Sequence, residues 1–175
     1  MVTLAEGNHT GVEVGFQEWF VGLGHAAAVA AVRFEGVEAA DPGPGVLEAV
    51  MDAQIVIVAP SNPIVSIGPL LAMPALADAL ETRRGDTVAV SPIVDGAALK
   101  GPADRLMRDL GHEASVGGVA GLYRDIAATL VVDKTDADRA RTVEAAGMNC
   151  VVTDTVMADP TVAAKLAKTI LEEAR

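Results

Sequence analysis

The stretch QIVIVAP, residues 54–60, is an uninterrupted apolar run of strand length, rich in Ile and Val and closed by a proline. A run of this kind, without polar alternation, belongs to a strand covered on both faces. The pattern recurs at TVAVS (residues 87–91), TLVVD (129–133) and NCVVTD (149–154). Helical patterns fill the intervals. Pro44-Gly45 opens a short helix through Val50, and residues 67–81 read as helical with interruptions at Pro69 and Pro74. Gly101-Pro102 starts a helix that ends at Gly111, with Pro in the first turn and Gly at the close. Residues 116–128 read as helical despite their glycines, and residues 136–146 form a helix stopped by Gly147. Asp159-Pro160 caps a final amphipathic helix to Arg175. Strands alternating with helices in this way predict an α/β, Rossmann-like, mostly parallel sheet with helices on both faces. Ligands of such sheets lie beyond the carboxyl ends of the strands. The loops of interest therefore begin at Pro60, Ser91, Asp133 and Asp154.

The 175 residues suit a single α/β domain: a strand-rich opening segment, 1–45, and an alternating core, 46–175. The longest apolar runs, such as residues 26–32 and 55–60, fall far short of the ~20 residues needed to span a membrane. No basic region followed by an apolar one marks a signal peptide at the N-terminus. The lone cysteine, Cys150, sits in a strand-like run and reads as a buried reduced thiol, so a cytoplasmic location is the expectation. The formal charge of −11 argues against a nucleic-acid surface, which would need Lys and Arg for phosphates. Lysines occur only at positions 100, 134, 165 and 168. An acidic, lysine-poor surface fits a salt-adapted source and fits equally an ordinary acidic protein from a GC-rich genome.

The opening segment has strand-like stretches at residues 12–21 and 29–40, divided by Gly22-Leu23-Gly24. Gly22 to Ala27 matches the G-x-G-x-x-A variant of the dinucleotide fingerprint, which also requires an acid about 20 residues on. The available acid, Glu35, lies at 35 − 22 = 13 residues. That interval holds at most a two-turn helix, too short for a crossover. A glycine-containing turn between two strands is the reading adopted.

The strongest local signal for chemistry is PSNPIVSIG, residues 60–68, between the most apolar strand and a helix. Ser61, Asn62 and Ser66 offer hydrogen-bonding side chains, and the amides of Ile67 and Gly68 are expected to be unpaired helix N-terminal donors. Together they form a cradle for an anion, phosphate above all; equally, Ser66 or Asn62 serves only as a helix cap. The second signal is Lys100, the only lysine in the first 133 residues, placed just before the helix at Pro102. A cation opposes the helix dipole there, so its position makes sense if it faces a ligand anion. Asp104 is a first-turn acid. His9, His25 and His112 are isolated and lack metal-ligand spacing. Tyr123-Arg124-Asp125 is either an exposed helix face or a ligand contact. Asp154, leaving the last strand, either binds ribose or a metal or serves as a cap. No nucleophile elbow, Ser/His/Asp set or CxxC is present, so nothing points to covalent catalysis, and no catalytic residue is assigned.

Seven segments carry a family resemblance. They are Phe16-Gln17-Glu18-Trp19, residues 44–49 (PGVLEA), 59–69 (APSNPIVSIGP), 91–96 (SPIVDG), 100–104 (KGPAD), 122–124 (LYR) and 152–155 (VTDT). In this order they resemble the C-terminal half of the CofD family, the 2-phospho-L-lactate transferases of coenzyme F-420 biosynthesis. The resemblance implies transfer of a phospholactyl or phosphoenolpyruvyl group from a GMP-linked donor to the deazaflavin Fo, releasing GMP with the help of Mg2+. It implies that Ser61, Asn62, Ser66, Ser91, Lys100 and Asp154 bind the donor or its nucleotide, with GDP as a related ligand. Metal ligands are expected in the family's N-terminal half and not among these residues. The family's His before the Phe-Gln-Glu segment and Arg after it are replaced by Gly15 and Gly22. The alternative is a non-catalytic UDP-sugar-binding regulatory protein of the related fold group. The choice of acyl group and assembly as a homo-oligomer stay open.

Overall fold

The computed structural model describes residues 1–5 and 10–173. The chain opens with β1 (Val2–Leu4), β2 (Glu13–Val14) and β3 (Val29–Val32), a small antiparallel sheet in the order β2-β1-β3. The first helix, α1 (Val46–Asp52), leads into β4 (Val56–Val58). A π-helical turn, Pro63–Ile67, runs directly into α2 (Gly68–Leu71), and α3 (Pro74–Thr82) follows. Next come β5 (Thr87–Val90) and a hairpin of β6 (Ile93–Val94) and β7 (Ala97–Ala98). The remainder is α4 (Ala103–Asp109), α5 (Val116–Tyr123), β8 (Thr129–Asp133), α6 (Ala140–Ala145), β9 (Asn149–Thr153) and α7 (Pro160–Glu173).

The four apolar runs form one parallel sheet in the order β4-β5-β8-β9. Because successive residues point to opposite faces, each run supplies two cores. Val58, Ala89, Leu130 and Val132 face a cluster with Leu76 and Leu80 of α3, Met107 of α4, Val119 and Tyr123 of α5, and Val143 of α6. Val88, Val90 and Val131 face the other way, against Leu166 and Ile170 of α7. Helices on both faces explain why the strands lack polar alternation.

Helix starts follow the side chains available. Ser115 accepts from the Gly118 amide at 3.1 Å to cap α5, and Asp159 accepts from Thr161 and Val162 at 2.7 and 3.1 Å to cap α7. Gly118 meets a hard steric limit, since a Cβ there would lie 1.8 Å from the carbonyl oxygen of Glu113.

Several boundaries differ from the sequence reading. Residues 12–21 are strand only at Glu13–Val14; Glu18–Gly22 is a π-helical turn that buries Trp19 completely. Phe16, Trp19 and Phe20 stand at helical spacing, which wins over the β-preference of aromatic side chains. Gly22-Leu23-Gly24 thus follows a helical turn, and it leads to β3 with no helix behind it, contrary to the fingerprint. Residues 29–40 are strand only at Val29–Val32, followed by a 3-10 turn at Val37–Ala39. The α5 helix ends at Tyr123 instead of residue 128, because Ile126 and Ala127 turn back to donate to the Tyr123 carbonyl. The last two residues of the expected final helix, 174 and 175, lie outside the described residues, as does His9.

The antiparallel sheet is fastened to α4. Asp109 accepts from the Val29 amide at 3.0 Å, and Arg105 donates to the carbonyls of His25, at 2.9 Å, and Ala26. Val2, Leu4, Trp19 and Val29 bury against Leu106, with Ile64 and Val65 of the π-helical turn alongside. This places the opening segment beside the carboxyl edge of the sheet.

Candidate functional site

At the carboxyl end of β4 the chain enters Ser61-Asn62-Pro63. Asn62 holds an extended backbone, and its Oδ1 accepts from the amides of Ile64 (2.9 Å) and Val65 (3.3 Å). Pro63, in the first turn, needs no amide partner. The helical turn therefore begins four residues before the sequence reading placed it, which corrects one expectation. The amides of Ile67 and Gly68 are not free donors: they bond to the carbonyls of Asn62 and Pro63. What remains for a ligand is side-chain chemistry. With Oδ1 engaged in the cap, the Asn62 amide nitrogen donates to no partner among the described residues. The Ser61 and Ser66 hydroxyls make no hydrogen bond among the described residues.

These groups open onto a cleft of ≈ 710 Å³ at the carboxyl edge of the sheet. Ser61, Asn62, Ser66, Ser91 and Lys100 all line it, so five of the six sequence-assigned residues meet in one place. Lys100 is the only charged residue in that lining, and it forms no ion pair among the described residues. In a chain of net charge −11, the described residues that line this cleft include one cation and no carboxylate. The Ser91 hydroxyl is already engaged, donating to the Ile93 carbonyl at 2.9 Å and accepting from its amide at 3.1 Å. Asp154 is the residue the structure does not bring in. It is exposed and paired with Lys134 at 2.7 Å, and its neighbour Thr155 lines the cleft instead.

Thr155 is held by a carboxylate that the sequence marked only as the start of a loop, without a role. Asp133, at the end of β8 and nearly buried, accepts from the Thr155 amide (2.9 Å) and hydroxyl (3.1 Å). It also accepts from the Thr135 amide (3.0 Å) and hydroxyl (2.8 Å). Burial pushes its pKa up, but the four hydrogen bonds outweigh that and hold it at about 2. An Asp followed two residues on by Thr is an Asx-turn signal; its second pair of bonds, across 22 residues, has no sequence signature. Phe16 and Phe20 were likewise not assigned a role, yet both line the cleft.

The remaining candidates fall elsewhere. Asp104 is a first-turn acid of α4, bonded to Arg108 at 2.7 Å. Tyr123 is buried in the core, while Arg124 and Asp125 are exposed. Cys150 is half-buried in β9, and burial raises its pKa. His25 stacks on Phe20, and His112 is exposed. Among the described residues no three His, Cys, Asp or Glu side chains group to hold a metal. A hard cation such as Mg2+ needs oxygen ligands, usually including carboxylates, and the cleft lining does not fit one. No single described helix is long and apolar enough to cross a membrane.

Comparison with known proteins bears on the same stretch of chain. The family model described as 2-phospho-L-lactate transferase CofD matches residues 1–172. A phosphoenolpyruvate transferase of Kitasatospora aureofaciens is 38% identical over 159 residues, covering 90% of this chain and 50% of that protein. A 2-phospho-L-lactate transferase of Methanothermobacter thermautotrophicus is 37% identical over 161 residues, covering 92% and 51%. A phosphoenolpyruvate transferase of Mycolicibacterium smegmatis is 32% identical over 159 residues, covering 91% and 49%. The chain thus spans about half the length of these curated relatives. With the match running through the cleft and nearly the whole of the sheet, this chain belongs to the CofD family.

Proposed function

We propose that this chain forms the donor-binding part of a transferase. The enzyme would move a 2-phospho-L-lactate or phosphoenolpyruvate group from a GMP-linked donor to the hydroxyl of the deazaflavin Fo. The observation that carries this reading is the cleft whose only charged lining residue among the described residues is a lysine, in an otherwise acidic chain. The names of the relatives support the choice of reaction.

The reaction is substitution at phosphorus. The acceptor oxygen forms a bond to phosphorus, the bond from phosphorus to the GMP oxygen breaks with its electrons, and the hydroxyl proton is lost. Such chemistry needs in-line positioning and relief of negative charge more than it needs a covalent partner from the protein. Lys100 would offset charge on the donor phosphates. The Asn62 amide and the Ser61 and Ser66 hydroxyls would donate to non-bridging oxygens, and Thr155 would shape the opposite side. Magnesium belongs to the same proposal as a further source of charge neutralisation, with its ligands assigned to the additional length of the relatives. Cytoplasmic placement also stays with the proposal.

A thermal-shift comparison of GDP with UDP-N-acetylglucosamine tests the reading. At a hundredfold excess over Kd, a ligand stabilises the native state by about 2.7 kcal/mol. In a domain of this size that is roughly 5–11 °C in Tm. The expected result is a rise with GDP and little change with the UDP-sugar. A rise with the UDP-sugar alone would favour the regulatory alternative, and no rise with GDP would remove the basis for the proposal.

A further inference from the structure

The chain holds only three Phe, one Trp and one Tyr, yet three of those five rings gather on one side of the cleft. Phe16 and Phe20 line it, with ring centroids 5.5 Å apart and planes 13° from parallel. His25 extends the stack, 5.2 Å from Phe20 at 22°. Trp19 sits tilted against Phe16 and Phe20, at 6.1 and 6.4 Å, and is fully buried with its indole N–H donating to the Ala27 carbonyl at 3.0 Å.

The stack is maintained against local cost. His25 adopts φ = +46°, a conformation that residues other than Gly rarely take, and its buried Nδ1 has no hydrogen-bond partner among the described residues. Elsewhere in the same cleft lining, Leu99, Val156 and Met157 remain 57%, 38% and 50% exposed. A cleft with a polar, cationic region and a stacked aromatic region suits a ligand set that pairs phosphate with a flat ring.

Resting on the reading of the cleft above, we propose that Phe16, backed by Phe20, is the stacking wall for a flat heteroaromatic ring of one of the two reactants. Two rings share that chemistry, the guanine of the donor and the deazaflavin of the acceptor. Neither demands a hydrogen-bonding side chain from the wall, because stacking works through the π-face that every such ring possesses.

Three probes separate the elements: GDP (ring with phosphates), inorganic pyrophosphate (phosphates alone) and Fo (ring without phosphate). Trp19, the sole tryptophan, lies beside the stack and reports binding through its fluorescence. Phe16→Leu and Phe20→Leu are expected to weaken GDP, Fo or both by roughly five- to a hundred-fold. Pyrophosphate affinity should be unchanged, and Phe16→Tyr should restore ring binding. Loss confined to GDP assigns the wall to the donor, and loss confined to Fo assigns it to the acceptor. Equal weakening of pyrophosphate, or full retention of both ring probes, overturns the proposal. Pyrophosphate binding that is absent, or indifferent to Lys100→Ala, would instead sink the reading of the cleft as an anion site. The Fo measurement then judges the wall independently.

Discussion

Replacing Asp133 with Asn removes a charge that four hydrogen bonds hold in place at the end of β8. Its carboxyl titrates at about 2 in the folded chain against an ordinary 3.8. A depressed folded pKa contributes stability that is fully present above the unfolded value and lost as pH falls through the folded one. The difference of about 1.8 pKa units corresponds to about 2.4 kcal/mol at neutral pH. Linkage takes away about half of it by pH 3 and most of it by pH 2.

Asn keeps one acceptor but cannot serve four donors as a carboxylate does, so Asp133→Asn should lower Tm by roughly 5–10 °C at pH 7. The gap between wild type and variant should then narrow steadily from pH 5 to pH 2, because only the wild type has this proton to gain. Using the difference cancels the titration of the other carboxylates. Thermal melts at half-unit pH steps supply the measurement. Two curves that run parallel between pH 7 and pH 3 would refute the account, since they would show that the charge on Asp133 carries no stability. GDP affinity should fall together with Tm in this variant, as Thr155 loses its anchor.

Asn62→Asp keeps the oxygen that caps the Pro63–Ile67 turn but replaces the amide donors with charge; stability should hold within about 1 kcal/mol of wild type while pyrophosphate binding is lost. Lys100→Ala should weaken pyrophosphate several-fold in dilute buffer, by a factor that shrinks as potassium chloride screens the pair; an effect independent of salt would point away from direct charge contact. If the acidic surface is an adaptation, Tm should climb from dilute buffer to molar potassium chloride, and a flat response would return the composition to ordinary acidity. Gly118→Ala should cost about 1–3 kcal/mol through the contact with the Glu113 carbonyl. Gly121→Ala in the same helix, with open space at its Cβ, should not.

The parallel sheet was legible because its information is local and repeated. Each of β4, β5, β8 and β9 is a run of branched apolar residues, and a strand buried on both faces needs nothing else to be recognised. The opening segment was harder for a physical reason. Phe16, Trp19, Phe20 and Val21 have the composition of a strand, and their true conformation is set by what Trp19 packs against in β1, β3 and α4. The β6–β7 hairpin did carry a local mark, Asp95-Gly96, with φ of +51° and +74° in a two-residue turn. Its strands are two residues each, too short for any alternation to show.

The candidate site was legible as a set of loops and less so as a set of atoms. The rule that ligands lie beyond the carboxyl ends of parallel strands selected the loops after β4, β5, β8 and β9; those after β4, β5 and β9 contribute to the cleft lining, and the one after β8 does not, although Asp133 at its start anchors Thr155. It could not say which side chain on each loop turns inward: Thr155 does, and Asp154 pairs outward with Lys134. Nor does sequence decide whether Asn62 caps a helix or holds an anion, because the same residue type at that position suits either use. An amide side chain has an acceptor at one end and donors at the other. Capping consumes the acceptor, and by doing so it fixes the χ angles that set where the donors project. Under the proposed function the cap would therefore hold the Asn62 donors in place at the cleft, whereas Ser66, which caps no helix among the described residues, has no such constraint.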